Sequence, residues 1–459
     1  MTDIKSLQAE RDQIFNDFYN YRLPKRLPVS AMFGAPIIAQ YSNVELTDAQ
    51  YNFKLLKEGA EELCERVYSD TCPISIARAS TRFASFYQLL GAKTFKMSSS
   101  GFMQHPNVEG MLVEDYEYFI QDPYACIIER VIPRLFKNLD PSSSADIAKT
   151  IPMAMDSNTA DTADALSFIK PLIEKHGYYL GAPAGSGGFT AAPYDFLADQ
   201  LRSFSGISKD IRRNRTQIIE ACEALYPLMF NLGLPANPSL LGSVGTPLHM
   251  PTYMREKDFA EVWLPTYKRL CEEYASLGVR VSAFCEHDWM RYLDILTELP
   301  AGMVLRFEYG DPQTIKDKLG KKFIIGGLYP LELLKKGTKQ QVIDKAKELL
   351  DIMMPGGGYM FGFDKGPLVL HDINIENYIA LTEFVRDYAV YPNAGESYGT
   401  PLNSEQFSFD LTDSLKIKSK YMHNWDEFKQ ENPFTPDFAK AKFEKYDMNM
   451  FKFYLNLFV

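Results

Sequence analysis

Short apolar runs alternate with amphipathic stretches through the C-terminal half of the chain. The run 279–284 alternates as a strand does and ends in Cys285-Glu286-His287-Asp288. A helix is predicted over about 289–299. The run 303–307 is a second apolar strand, ending in Glu308-Tyr309-Gly310-Asp311, and Pro312 opens the next helix at the first position that proline favours. Residues 323–325 form a third strand ending in Gly326-Gly327. Thr338 and Gln341 stand at capping-box spacing ahead of a helix that carries Val342, Ala346, Leu349 and Met353. Pro355-Gly356-Gly357-Gly358 stops it. Residues 359–363 make a fourth strand, and a last helix covers about 373–388. Strand followed by helix, four times over, is the pattern of a parallel sheet. Each strand runs out into charged residues or glycine at its C-terminal end, where barrel enzymes place their chemistry, although βα turns also favour Gly and Asp.

The rest of the chain is less regular. Residues 1–45 hold one short amphipathic helix and a Pro-rich stretch, Leu23-Pro24-Lys25-Arg26-Leu27-Pro28, and read as an N-terminal arm. A helix is expected to open at Thr47, with Gln50 in the reciprocal capping position, and to carry Leu56, Ala60, Leu63 and Val67 as a stripe. The glycine-rich run 184–190 lacks both the P-loop ending and the third glycine of a dinucleotide fold, so it reads as a flexible loop and a candidate lid. The tail, 395–459, is rich in aromatics, among them Phe407, Phe409, Trp425, Phe428, Phe434, Phe438, Phe443, Phe451, Phe453 and Phe458. So many rings are expected to pack on the barrel or on a partner subunit rather than stay in water.

Composition narrows the function classes. The net charge of −10 opposes phosphate-backbone binding as the main task. No apolar run approaches a membrane span, and the first residues do not form a signal-peptide core, which predicts a soluble cytoplasmic protein. Six scattered cysteines without a C-x-x-C read as reduced, small apolar fillers. A Cys-only zinc site is therefore not expected, and any metal would need mixed ligands.

An ordered set of residues carries a resemblance. It comprises Phe284-Cys285-Glu286-His287-Asp288-Trp289, Leu293-Asp294-Ile295-Leu296, Leu299-Pro300, Asp311, Lys316-Asp317-Lys318-Leu319-Gly320, Ile325-Gly326-Gly327-Leu328, Gly337-Thr338, Gly356-Gly357-Gly358-Tyr359 and Ile375-Glu376-Asn377. Thinner matches upstream are Gln104-His105-Pro106, Glu109-Gly110-Met111 and Tyr194-Asp195. The set resembles the uroporphyrinogen decarboxylase superfamily, most densely over 250–392. The resemblance implies an α/β fold, a (β/α)8 TIM barrel over 46–394 with one central pocket, flanked by the N-terminal helical arm and the C-terminal extension. The decarboxylase itself would show an Arg-rich N-terminal motif, and Arg78, Arg82, Arg130 and Arg134 do not follow that arrangement. The corrinoid-dependent methyltransferase branch often carries His-x-Cys after the fifth strand and a further Cys after the eighth. Here Phe284 and Glu286 hold the former positions and no Cys lies near Gly362, so the thiol-activating zinc site is not expected. Glu286 is the residue that carries over as a ligand, in the manner of methyltransferases that demethylate methoxylated compounds.

What the resemblance implies is a methyltransferase moving a methyl group from a small methoxylated, aromatic compound to the cobalt of a cobalamin on a separate corrinoid protein, since the chain has no corrinoid motif of its own. The leaving oxygen needs a Lewis acid or a proton donor. Zinc held by Glu286, Glu308, His249 and His371 would serve, with Glu286 and Asp311 as catalytic groups. His105, Tyr116 and His249 are expected to bind substrate, within an aromatic pocket that Tyr118 and Phe119 would also line. His287 should point away from Glu286 by strand alternation. Plainer readings stand beside these: a salt bridge for Glu286 or Glu308, a helix cap for Asp311, a hydrogen-bonded core histidine for His249. Two other functions compete: a metal-independent decarboxylase of a porphyrinogen or smaller acid, and a non-catalytic barrel acting as a binding module. A homodimer is compatible with the sequence.

Overall fold

A computed structural model of the chain describes residues 3–75 and 84–458; Arg78 and Arg82 lie outside them. The first strands are a short parallel pair, β1 (Phe33–Gly34) and β2 (Ile74–Ser75), and an antiparallel hairpin of β3 (Lys96–Met97) with β4 (Met103–Gln104). Then come β5 (Gly188–Phe189), β6 (Ser243–Leu248), β7 (Arg280–Asp288), β8 (Val304–Tyr309), β9 (Ile324–Tyr329) and β10 (Tyr359–Phe363), which form one six-stranded parallel sheet in sequential order. Helices separate the strands, so every C-terminal strand end lies at the same edge of the sheet. The fold is α/β, as the strand–helix rhythm predicts, and consistent with a (β/α)8 barrel. With β1 and β2 the described residues hold the parallel strands an eightfold barrel needs, in two sheets, and no hydrogen-bonded closure joins them among those residues.

The apolar runs form strands because at least the face turned to the helices is fully buried. Val281, Ala283, Cys285, Leu305, Phe307, Ile324 and Ile325 are all part of one core. The Thr338–Gln341 capping box forms as expected and starts the helix Lys339–Met353, whose Val342, Ala346, Leu349 and Met353 are buried. Three expectations need correction. No long helix follows β7: only a 3-10 turn, Met290–Tyr292, and the single turn Leu293–Leu296 do. No helix opens at Thr47. A short helix, Leu46–Ala49, begins after Glu45, and the stripe of Leu56, Ala60 and Leu63 sits on the next helix, Lys57–Arg66, and the turn before it. The Gln50 side-chain amide instead donates to the Gly101 carbonyl at 2.8 Å. The run 184–190 is no lid. It supplies β5 at the edge of the sheet, with Ser186 and Thr190 fully buried. Its glycines permit backbone contact: a Cβ on Gly188 would lie 1.9 Å from the Gly233 carbonyl oxygen.

The N-terminal residues close the opposite end of the sheet. The helix Ile4–Tyr19 buries Ile14, Phe15 and Phe18. Arg280, at the start of β7, donates to the Tyr19 carbonyl at 2.8 Å and to that of Leu240 at 2.6 Å, and its guanidinium lies over the Tyr19 ring. Tyr398 donates to the Phe18 carbonyl at 2.6 Å and stacks on Tyr21. Deeper in this segment the fully buried Asp70 takes both arms of Arg26 at 2.7 Å and a third contact from Arg11 at 3.4 Å. A carboxylate out of water requires such pairing.

The aromatic tail divides in two. On the helix Lys440–Leu455 and the residues after it, Phe451 and Phe458 are buried against Tyr124, Phe136 and Phe196. Phe434 and Phe438, expected to be covered, stand 99% and 81% exposed. They belong to the short stretch between the helices Trp425–Glu431 and Lys440–Leu455.

Two substitutions test these packings in equilibrium unfolding of the full chain. Gly188→Ala should cost about 1–3 kcal/mol, because a methyl group there meets backbone. Phe451→Ala should cost about 3–5 kcal/mol, whereas Phe434→Ala should stay within about 0.5 kcal/mol.

Candidate functional site

The C-terminal ends of β6 and β7 bring His249 and Glu286 together. His249 follows β6 directly, and Glu286 lies near the end of β7. The two strands run in register, with Leu248 beside Cys285, so the next residues are neighbours. His249 Nε2 lies 2.9 Å from a Glu286 oxygen, and its Nδ1 lies 3.1 Å from a carboxylate oxygen of Asp199. One imidazole thus bridges two carboxylates. Burial works against a charge on this ring, but its hydrogen bonds to Asp199 and Glu286 outweigh that and raise His249 to about 10. The same contact with His249, opposed by burial, lowers Glu286 below the usual carboxylate range. The ring is therefore an imidazolium at neutral pH. Its side chain is 43% exposed and that of Glu286 32%, so the group opens to solvent.

A buried carboxylate positions it. Asp195, on the helical turn Pro193–Asp195, accepts from the backbone amides of His249 at 2.8 Å and Met250 at 3.0 Å, and from the indole of Trp263. Burial, and then the charge of Asp199, push its carboxyl up to about 6, so it is ionised near neutrality. Asp195 and Asp199 leave the same face of one helical stretch, which is how a single element holds both the backbone and the ring of His249.

Strand alternation fails at the end of β7, which corrects the expectation for His287. The register with β8 shifts between Cys285 and Asp288, and His287 adopts a left-handed backbone, φ 60°. Its ring therefore lies on the side of Glu286, 3.8 Å from that carboxylate, and bonds the Tyr253 hydroxyl at 3.2 Å. The bulge is pinned from two sides. The His287 amide donates to Glu308 at 2.8 Å, and the Trp289 indole donates to the Glu286 carbonyl at 2.9 Å.

The other candidates fall elsewhere. Asp311 caps the helix Pro312–Leu319, accepting from the Thr314 amide at 2.8 Å and hydroxyl at 2.6 Å, and none of these bonds joins it to the His249 group. His371 is exposed on the turn Leu370–Asp372. His105 stacks on Phe95. Tyr116 is buried, with its hydroxyl on Asp210 at 2.9 Å and Arg202 over its ring. Phe119 is buried, and Tyr118 bonds Glu129. The expected four-ligand zinc set of Glu286, Glu308, His249 and His371 is not assembled. Among the described residues no group of three or more His, Cys, Asp or Glu could hold a metal ion, and both ring nitrogens of His249 already face carboxylates. The donor set does not fit zinc. A surface cavity of about 810 Å³, lined by Ser85, Lys137, Asp140, Ser143 and Lys149 among others, shares no residue with this group.

A family model described as Uroporphyrinogen decarboxylase (URO-D) matches residues 182–388. That span contains all six strands of the main sheet and every member of the His249 group, and it supports the uroporphyrinogen decarboxylase superfamily for this part of the chain. Members of that family are generally enzymes, decarboxylases or related methyltransferases. No curated protein matches the chain. Among the described residues no helix is long and apolar enough to cross a membrane.

The histidine charge is open to direct measurement. In a proton–nitrogen NMR titration the His249 ring should stay protonated through pH 9. Asp199→Asn and Glu286→Gln should each bring its titration down toward the ordinary value near 6.5. Because the folded value lies above the unfolded one, the stability these pairs contribute is complete below about pH 6.5 and is lost between there and about pH 10.

Proposed function

We propose that the chain is a methyltransferase that takes the methyl group of a small aryl methyl ether and passes it to the cobalt of a corrinoid carried by a separate protein. The observation that carries this reading is the His249 ring held between Glu286 and Asp199 at the open end of the sheet, a pairing that favours its protonated form. Cobalt(I) supplies the electron pair for the new bond to carbon. The C–O pair stays on oxygen, and a phenoxide leaves poorly unless it is protonated. Phenols titrate near 10, and an imidazolium whose Nε2 proton has left Glu286 is a stronger acid than one still paired with it, so proton transfer from His249 to the departing oxygen is downhill. An incoming ether oxygen competes with Glu286 for the Nε2 proton. Asp199 keeps its hold on Nδ1 and fixes the ring. The neutral imidazole left behind takes its next proton from solvent through the exposed side of the ring.

A second reading is favoured by the family description itself: a decarboxylase, in which the same imidazolium protonates the carbon that loses carbon dioxide. The two differ in product. Supplied with cob(I)alamin and a panel of aryl methyl ethers, the first produces methylcobalamin, followed by absorbance. The second releases carbon dioxide from an acid and needs no cobalt.

His249→Gln removes the proton and should lower methyl transfer by roughly 100- to 10,000-fold. Glu286→Gln should also remove most turnover, because the His249 ring titrates nearer its ordinary value, and it should lower the unfolding midpoint at neutral pH through the lost ion pair. Full activity of His249→Gln removes the proposed acid. For wild type, the rate should hold to about pH 9 and fall as the ring loses its proton near 10.

A further inference from the structure

We propose that Phe189 is the platform on which a single aromatic ring of the substrate lies, inside the sheet and below His249. This names the place and size of the substrate that the methyl-transfer reading requires, and so rests on that reading for the ligand's chemistry.

The two faces of the sheet are unequal. On β6 and β7 the residues facing the helices, Val244, Thr246, Leu248, Val281, Ala283 and Cys285, are buried. Their neighbours on the inner face, Gly245, Pro247, Ser282, Phe284 and Glu286, are only half-buried. A filled barrel interior would bury both sets, so the inner face borders open space. Phe189 belongs to it. The next residue, Thr190, is fully buried and donates to the Met229 carbonyl on the helix side, which turns Phe189 the other way. Phe189 pairs with Gly245, and a Cβ on Gly245 would lie 3.1 Å from its ring, so the ring covers bare backbone. It is nevertheless 50% exposed. A phenyl ring set over a glycine with its other half uncovered, on the inside of the fold, is a surface for another flat apolar group.

The surroundings set the size. Pro247 and Phe284 are register partners one step toward the mouth, and Glu286 and His249 follow one step further. Gly245 precedes His249 by about 13 Å of extended strand, which leaves room for one ring and its methoxy group between Phe189 and His249. On the far side Arg306, the register partner of Phe284, holds its guanidinium 5.8 Å from that ring, and its stem crosses Gly326. A ring on Phe189 would therefore direct its ether oxygen toward the His249 proton.

The test reads binding without any methyl acceptor. Titration calorimetry on the full chain compares anisole with methoxycyclohexane, which has the same ether but no flat ring. Anisole should bind at least tenfold more tightly. Phe189→Ala and Phe189→Leu should each weaken anisole about tenfold or more, the leucine retaining apolar volume if alanine disturbs the fold, and Gly245→Val should block it. Equal binding of the two ethers, no binding of anisole in the millimolar range, or unchanged affinity in a folded Phe189→Leu protein overturns the platform. Anisole binding that depends on Phe189, without methyl transfer in the corrinoid assay, keeps the platform and removes the reaction.

Discussion

One imidazole between two carboxylates governs this molecule's chemistry. Glu286 and Asp199 could not approach each other at the end of a half-buried sheet without a cation between them, and His249 supplies it. The cost of taking the ring out of water is met by two short contacts, which is why its proton is held so far above the ordinary range. The constraint reaches outward. The ring must stay in place for both contacts to persist, so its backbone is fixed by Asp195, and Asp195 is in turn fixed by Trp263. The partner strand must present Glu286 on the same side, and the bulge at His287 accomplishes this, held by Glu308 and Trp289.

The direction of the sheet decides where such a cluster can stand. Parallel strands put all their C-terminal ends together, and Tyr19, Arg280 and Tyr398 occupy the opposite end. With one end filled, the other becomes the entrance. The half-exposed inner face between them is consistent with a pocket entered from the His249 side, whichever reaction the family resemblance finally denotes.

Much of the fold was legible from pattern. Strands β7 to β10 announce themselves because short runs that bury a face under the helices must be largely apolar, and the Thr338–Gln341 box is a local signal needing no tertiary help. β5 and β6 were hidden because their glycines and Pro247 serve close backbone contact and inner space, the opposite of a strand-forming composition. The helix expected at Thr47 failed because Gln50 finds a better partner in Gly101 across the fold. Within the site, Glu286 and His249 were singled out at strand ends, but Asp199 carried no signal beyond its spacing from Asp195. A charge whose partner is brought in from fifty residues away is invisible to periodicity. The zinc set drawn from the same residues did not assemble, since both ring nitrogens of His249 face carboxylates and His371 stands on an exposed turn.

The plug at the closed end also sets an order of events during synthesis. The contacts that seat the first helix come from the far side of the chain: Tyr398 reaches Phe18 across 380 positions. At about 5–20 residues added per second, that helix waits roughly 20–75 s for its final anchor after emerging from the ribosome. Phe15 meets its stacking partner Tyr179 well before the end of that interval, whereas Phe18 waits for Tyr398. A chain built this way gains its last enclosure late, after every strand of its main sheet has been made.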